Sequence, residues 1–390
     1  MNESENGRTA AGRFQRPATA PDFLLSREHQ SVRTQGVTAT FNELDDAMGA
    51  LAAGDIEMLV GALPFDVDAP VALTAPKHII VSSGPLEPPA VYRGATAASG
   101  LHATVEGRTP TLDEHRERVA AAIATIDATA GEKAALAKVV LARSIDLSFD
   151  TPVDPLLVAA RFIDMSANRD GFYADLAPAG APHANNVLVG SSPEQLVRRF
   201  GRQVTSFPLA GSLPRSADPK EDARRREELA HSRKDLTEHQ FVVEWIESRL
   251  RGYCAELSIP RSPQLVATRE MWHLGTPISG VLADPATTAL DLALAVHPTP
   301  AICGTPTDAA FGLIQSVEED RGFYSGAVGW TNKAGDGEWM VSIRCAEMSK
   351  TGKWARAWAG GGIVAQSDPD TEVAETAAKL RTALKAFGLS

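Results

Sequence analysis

The sequence predicts an α/β (α+β) fold with mixed or antiparallel sheets, not a doubly wound parallel one. Two observations carry this. Short strand-like runs are interspersed with helical ones, and several are joined by hairpin-like turns. No GxGxxG or GxxxxGK(S/T) run follows a strand, so the sequence lacks the phosphate-binding turn of a nucleotide fold. The 390 residues suffice for one large domain or two ordinary ones, and 44% of them are hydrophobic, ample for a core.

Residues 1–20 are polar, small and Pro-containing, the composition of a disordered tail. Beyond them, Ala53–Leu63 and His78–Ser82 read as strands around Gly54 and Gly61. Pro110–Ala130 reads as a helix: Thr111 caps it, Glu114 follows three residues on, and Val119, Ala122, Ile123 and Ile126 form its apolar face. Lys138–Ser144, Asn186–Gly190, Gln195–Arg199 and Gln203–Leu209 read as strands. Asp218-Pro219 opens a long helical region to about Leu250, with Glu221 three residues after the cap.

The last quarter is densest in chemical groups. In Glu338–Cys345 the polar Glu338, Ser342 and Arg344 alternate with Trp339, Val341, Ile343 and Cys345, which predicts one half-buried strand. Ser349–Gly352 is a turn, so Trp354–Ala359 is the expected hairpin partner. Gly360, Gly361 and Gly362 either permit close approach to the backbone or make a strand-to-helix turn. Glu372, Glu375 and Lys379 share one helix face. A fixed Arg, a carboxylate pair and a Lys suit a carboxylate-bearing ligand, with or without a metal.

A net charge of −11 without a basic block argues against nucleic acid or anionic membrane as partner. Cys254, Cys303 and Cys345, odd in number and far apart, fit neither a disulfide framework nor a zinc site. No apolar run approaches about 18 residues, and the N-terminus lacks a signal-peptide core. A cytoplasmic protein is expected.

Several residues have two readings each. Lys138 on an apolar strand is a catalytic lysine or an edge-strand lysine that snorkels. Glu194, after Ser-Ser-Pro, is a site residue or a first-turn helix Glu. Glu238-His239, mid-helix, is a site pair or a solvated face with a half-buried His. His273 is a site residue or a satisfied core histidine. Glu375 is a site residue or a surface helix residue.

The order of motifs decides among these readings. KVVLAR, GSSPEQLVRR, PLAGS, KDLTEH, MWHLGTPISG, HPTPAICGTP, FYSGAVGW, GEWMVSIRCAEM and AGGGIV…AETAAKL together resemble the chorismate-utilising enzymes over about residues 110–388. This family includes isochorismate and salicylate synthases and the synthase subunits for anthranilate and aminodeoxychorismate. The resemblance implies a single domain over 21–390, with antiparallel sheets at its centre and helices outside. It implies Mg²⁺ held by Glu238 and Glu375, an assignment that agrees with the hard oxygen ligands Mg²⁺ prefers. It implies that Arg344, Lys379 and the Gly360 backbone hold the enolpyruvyl carboxylate or its surroundings, and that Ser212, His273, Ala301, Ile302 and Tyr324 line the substrate pocket.

Lys138 matches the general base that activates water in isochorismate and salicylate synthases, and Glu194 matches the general acid at the departing C4 hydroxyl. The ammonia-using members generally lack the lysine. Ala210 excludes the covalent lysine route of some aminodeoxychorismate synthases. HPTPAICGTP looks like the isochorismate-synthase version. Tyr324 and Ile302 stand where Phe and Leu are frequent. The expected protein is a monomeric isochorismate synthase of the shorter siderophore type, with no glutaminase subunit. Its product feeds siderophore catechols, menaquinone and salicylate. Salicylate synthase is the alternative. An ammonia-using enzyme and a chorismate-binding protein without turnover are further ones.

Overall fold

The computed structural model describes residues 14, 16, 18–93, 101–132 and 134–389. Most of the span expected to be a disordered tail lies outside these residues. Its end is anchored: Arg16 pairs with Asp154 at 2.6 Å, and the Gln35 amide donates to the Ala18 and Ala20 carbonyls at 2.9 Å.

Among the described residues seventeen strands form one hydrogen-bonded sheet system and three form a second. The pairings that frame the site are antiparallel. The strand Lys138–Phe149 pairs with Trp354–Ile363 in a long register that sets Gly362 opposite Val140 and Gly360 opposite Ala142. Its other edge pairs with Ala103–Thr109 and, at Lys138 and Val139, with Gly304–Thr305. In the small sheet, Leu209–Pro214 pairs with Met271–Gly275 so that Ser212 faces His273. The helix Arg233–Leu250 packs on Leu209–Pro214, and the helix Pro369–Ala386 packs on both that strand and Trp354–Ile363. The two helices therefore bridge the small sheet and the large one. No helix among the described residues is long and apolar enough to cross a membrane.

Local chemistry explains most elements. The helix Leu112–Thr129 carries the expected capping box, Thr111 N–H donating to Glu114 Oε2 at 2.8 Å. Trp354–Ile363 is the hairpin partner of Cys345–Ser349.

Four readings are corrected. Leu44–Ala53 is a helix ended by Gly54 at φ 78°, so the strand begins only at Met58. Gln203–Phe207 belongs to the large sheet and Leu209–Pro214 to the small one; Pro208, without an N–H, marks the change. The long helix after Pro219 is two helices, Pro219–His231 and Arg233–Leu250, because extended Ser232 caps the second through Asp235 N–H at 3.3 Å. Glu338–Cys345 is not one half-buried strand: Gly337–Val341 and Cys345–Ser349 are separate and buried, and Arg344 between them has φ 52°. The two halves pair with different neighbours, so the chain must change direction between them.

Candidate active site

The two sheets and two bridging helices enclose a cleft of about 650 Å³, partly open to solvent. Ten of the twelve residues expected in the site line it: Glu194, Ser212, Glu238, His273, Ala301, Ile302, Tyr324, Arg344, Gly360 and Lys379. The other two, Lys138 and Glu375, lie against this lining. Lys138 is fully buried, which rules out the edge-strand reading, and its Nζ sits 3.0 Å from Glu238 Oε1. Glu375 Oε1 accepts from Ser212 Oγ at 2.8 Å and lies 2.6 Å from Lys379 Nζ. Lys379 also donates to the Gly360 carbonyl at 2.9 Å.

The glycine run is part of the strand Trp354–Ile363, not a turn, and its purpose is steric. A Cβ on Gly362 would lie 2.0 Å from Glu238 Oε1 and 3.0 Å from Lys138 Cε; one on Gly360 would lie 3.1 Å from the Tyr324 hydroxyl. Tyr324 stacks on Trp358, their ring planes 8° apart. Two non-glycine residues with positive φ, Ser325 (60°) and Arg344 (52°), both line the cleft. Such backbone costs about 1–3 kcal/mol per residue and persists where surroundings enforce it. Ser325 N–H donates to the Ser342 carbonyl at 2.9 Å, and Ser191 N–H donates to the Arg344 carbonyl at 3.1 Å.

Electrostatics separate the carboxyl groups. Burial pushes Glu194 up to about 8, against the Leu209 backbone hydrogen bond and the charges of Lys138, Lys379 and Arg344. It therefore keeps its proton at neutrality. Glu375 goes the other way: burial opposes ionisation, but Lys379, Lys234 and the Ser212 hydroxyl hold it below the usual range. His273 is driven well below the usual histidine range by burial and by the Arg344 and Lys379 charges. Its Nε2 has no hydrogen-bond partner among the described residues, so it is not a satisfied core histidine there. His239 is one: it bonds the Ala210 carbonyl at 3.2 Å and Thr276 Oγ1 at 2.7 Å.

The sequence reading set Glu372 on the helix face of Glu375 and Lys379 but missed Lys234 and Asp235, which complete a second layer. Lys234 pairs with Glu372 at 2.6 Å, and Asp235 is pushed up to about 6 by burial, with the charges of Glu238 and Glu375 adding to the rise. Asp235 and Glu372 precede the two site glutamates by one helical turn each, a spacing visible in the sequence but common on solvated helix faces. Four carboxyl groups (Asp235, Glu238, Glu372, Glu375) thus crowd around three lysines (Lys138, Lys234, Lys379), and Glu372 Oε2 is buried without a hydrogen bond among the described residues. That surplus of hard oxygen donors fits a divalent cation. Among the described residues no three His, Cys, Asp or Glu side chains converge in a metal-binding group, so Glu238 and Glu375 would share the ion with water or substrate oxygens.

Comparison with known proteins identifies the family. The family model described as "Chorismate binding enzyme" matches residues 94–388. The putative isochorismate synthase MenF of Mycobacterium tuberculosis is 43% identical over 95% of this chain and 96% of its own length. The isochorismate synthase DhbC of Bacillus subtilis is 42% identical over 94% of each chain. The crystal structure of a putative 2,3-dihydroxybenzoate-specific isochorismate synthase, DhbC from Bacillus anthracis, superposes with a TM-score of 0.85 at 36% identity, covering 98% of this chain and 99% of that one. With a matching model over most of its length and relatives similar almost end to end, the chain belongs to the chorismate-binding enzyme family.

Proposed function

We propose that the protein is an isochorismate synthase, converting chorismate to isochorismate by adding water at C2 and expelling the C4 hydroxyl. One observation carries this reading: a fully buried lysine and a carboxyl that keeps its proton at neutrality flank the same cleft. Water is a poor nucleophile and hydroxide a poor leaving group, so the reaction needs a base at one ring position and an acid at the other. Lys138 takes a proton from the attacking water. The ring double bonds shift, and Glu194 gives its proton to the departing oxygen, which leaves as water. One proton is taken up and one released, so the isomerisation is proton-neutral.

Arg344 and Lys379 supply the positive charge that a dicarboxylate substrate requires, the arginine through its bidentate fork. Neutral His273 offers Nε2 to a substrate oxygen. Ser212 orients Glu375, while Ala301, Ile302 and Tyr324 shape the ring pocket and add no acid or base beside the ether. Glu238 and Glu375 would hold Mg²⁺, which when bound neutralises the ring carboxylate and acts as a Lewis acid. With water as nucleophile no glutaminase subunit is required, and we take the protein to act as a cytoplasmic monomer.

The test is incubation of the purified protein with chorismate and Mg²⁺, with and without EDTA, in the absence of ammonium. Products are separated by chromatography and pyruvate is assayed alongside. Partial, EDTA-sensitive conversion to isochorismate without pyruvate is expected. Salicylate with stoichiometric pyruvate would reassign the protein as a salicylate synthase, and turnover only on adding ammonium would reassign the nucleophile.

A further inference from the structure

Behind the loop Ser191–Glu194 lies a buried polar network that the chemistry above does not use. Its centre is Glu338, only 1% exposed. Glu338 Oε1 accepts from Gln195 Nε2 at 2.9 Å and from Arg27 Nε at 3.3 Å, while Oε2 lies 3.2 Å from His29 Nε2. Arg27 reaches further, to Asp170 Oδ1 at 2.8 Å and to the Ser192 carbonyl at 3.4 Å. From there the contacts run into the loop. Ser191 Oγ donates to the Asp170 carbonyl at 2.7 Å, and Glu194 N–H donates to Ser192 Oγ at 3.2 Å. The Glu194 carbonyl accepts from Val341 N–H at 3.1 Å, on the strand that carries Glu338.

Arg27 and His29 belong to the hairpin turn between the strands Phe23–Ser26 and Gln30–Phe41, ahead of the region 94–388 matched by the family model. Desolvating an arginine and two carboxylates is expensive, and an apolar cluster of similar volume would serve stability as well. What an apolar cluster lacks is direction. A guanidinium fork shared among Glu338, Asp170 and the Ser192 carbonyl fixes one loop geometry. We infer that Arg27, acting through Glu338, Asp170 and Ser192, is a positioning residue for Glu194, holding its carboxyl toward the leaving oxygen. This rests on the reading of Glu194 as general acid.

The experiment compares Arg27→Ala, Arg27→Lys, Ser192→Ala and Glu194→Gln in full-length protein, measuring Tm, kcat, KM for chorismate and the pH profile of kcat. Misplacing a catalytic group by about 1 Å costs on the order of 10²-fold. Arg27→Ala is therefore expected to lower kcat about 10–100-fold, to change KM much less, and to move the alkaline limb of the profile. Arg27→Lys keeps the charge without the fork and recovers only part of the rate. Ser192→Ala, a small exchange that keeps the fold should Arg27→Ala unfold it, lowers kcat in the same direction.

A wild-type kcat and alkaline limb per folded molecule in Ser192→Ala and in whichever Arg27 variant folds, whatever the Tm, would overturn the inference and leave the network a structural one. Glu194→Gln separates the two levels. If it is inactive while the other variants are normal, only the positioning inference fails. If it turns over at the wild-type rate, the general-acid reading itself fails.

Discussion

Gly362 and Glu238 meet so closely that the glycine's missing side chain is a requirement of the site: a Cβ there would lie 2.0 Å from Glu238 Oε1. Gly362→Ala must push Glu238 aside and crowd Lys138, whose Cε would be 3.0 Å away. Turnover is expected to fall by about 10²-fold or more, with a higher Mg²⁺ concentration at half-maximal rate. A Mg²⁺ titration of initial rates reads both. Wild-type values would show that the glutamate moves without cost and plays no part in the chemistry.

Glu194 makes activity and stability oppose one another. Its carboxyl is raised from 4.5 to about 8, so the acid form needed for proton donation is lost as pH rises through about 8, and kcat/KM should decline there. The linkage has the same sign. Between about 4.5 and 8 the folded chain keeps a proton that the unfolded chain releases, so this group's contribution to stability falls as pH rises through that window. At pH 7 the loss amounts to roughly 3 kcal/mol. Glu194→Gln removes it, so the variant should lose about 10²–10⁴-fold in turnover while its Tm at pH 7 rises by about 2 °C or more. Calorimetry at pH 5 and pH 7 checks the sign: the gain should shrink at pH 5. A Tm below wild type at pH 7 would contradict the desolvation account.

Lys138 and Glu375 separate proton transfer from metal affinity. Lys138→Ala should lose about 10²–10⁴-fold in kcat without a rise in the Mg²⁺ concentration at half-maximal residual rate, since the variant leaves both proposed ligands, Glu238 and Glu375, in place. Glu375→Gln keeps its shape and its contact with Ser212 yet removes the charge, so its Mg²⁺ requirement should rise. Rate measurements over a Mg²⁺ series distinguish the two. An unchanged titration in Glu375→Gln would remove it from the ligand set.

What the sequence made legible were residues whose motifs stand in order. KVVLAR, SSPE, KDLTEH and AETAAKL marked Lys138, Glu194, Glu238 and Glu375, and the fold brings these together although each is ambiguous alone. Period-two alternation across Glu338–Cys345 hid the break at Arg344, because a positive φ at a non-glycine residue leaves no local trace; the partner strands impose it. Ser325, the other residue of that kind in the cleft wall, was missed for the same reason. Ser232 ends one helix and caps the next inside a run of helix formers, and pattern reading extends straight through it. The contact between Arg27 and Glu338 spans 311 residues, and no spacing rule reaches that far.

Contacts of that kind also set when the site can come into being during synthesis. Ser212 needs Glu375, 163 residues later, and Arg143, in the strand that begins at Lys138, bonds Thr376 across 233. The helix Pro369–Ala386 carries Glu375 and Lys379 and packs on both Leu209–Pro214 and Trp354–Ile363, so the cleft is incomplete until that helix is in place. A ribosome-bound chain lacking that helix lacks Glu375, Lys379 and the packing that joins the two sheets there. Ligands that contact Lys379 then stabilise only a chain that already carries this helix, and a truncation that removes Pro369–Ala386 forfeits those contacts together with the packing that buries the sheet beneath it.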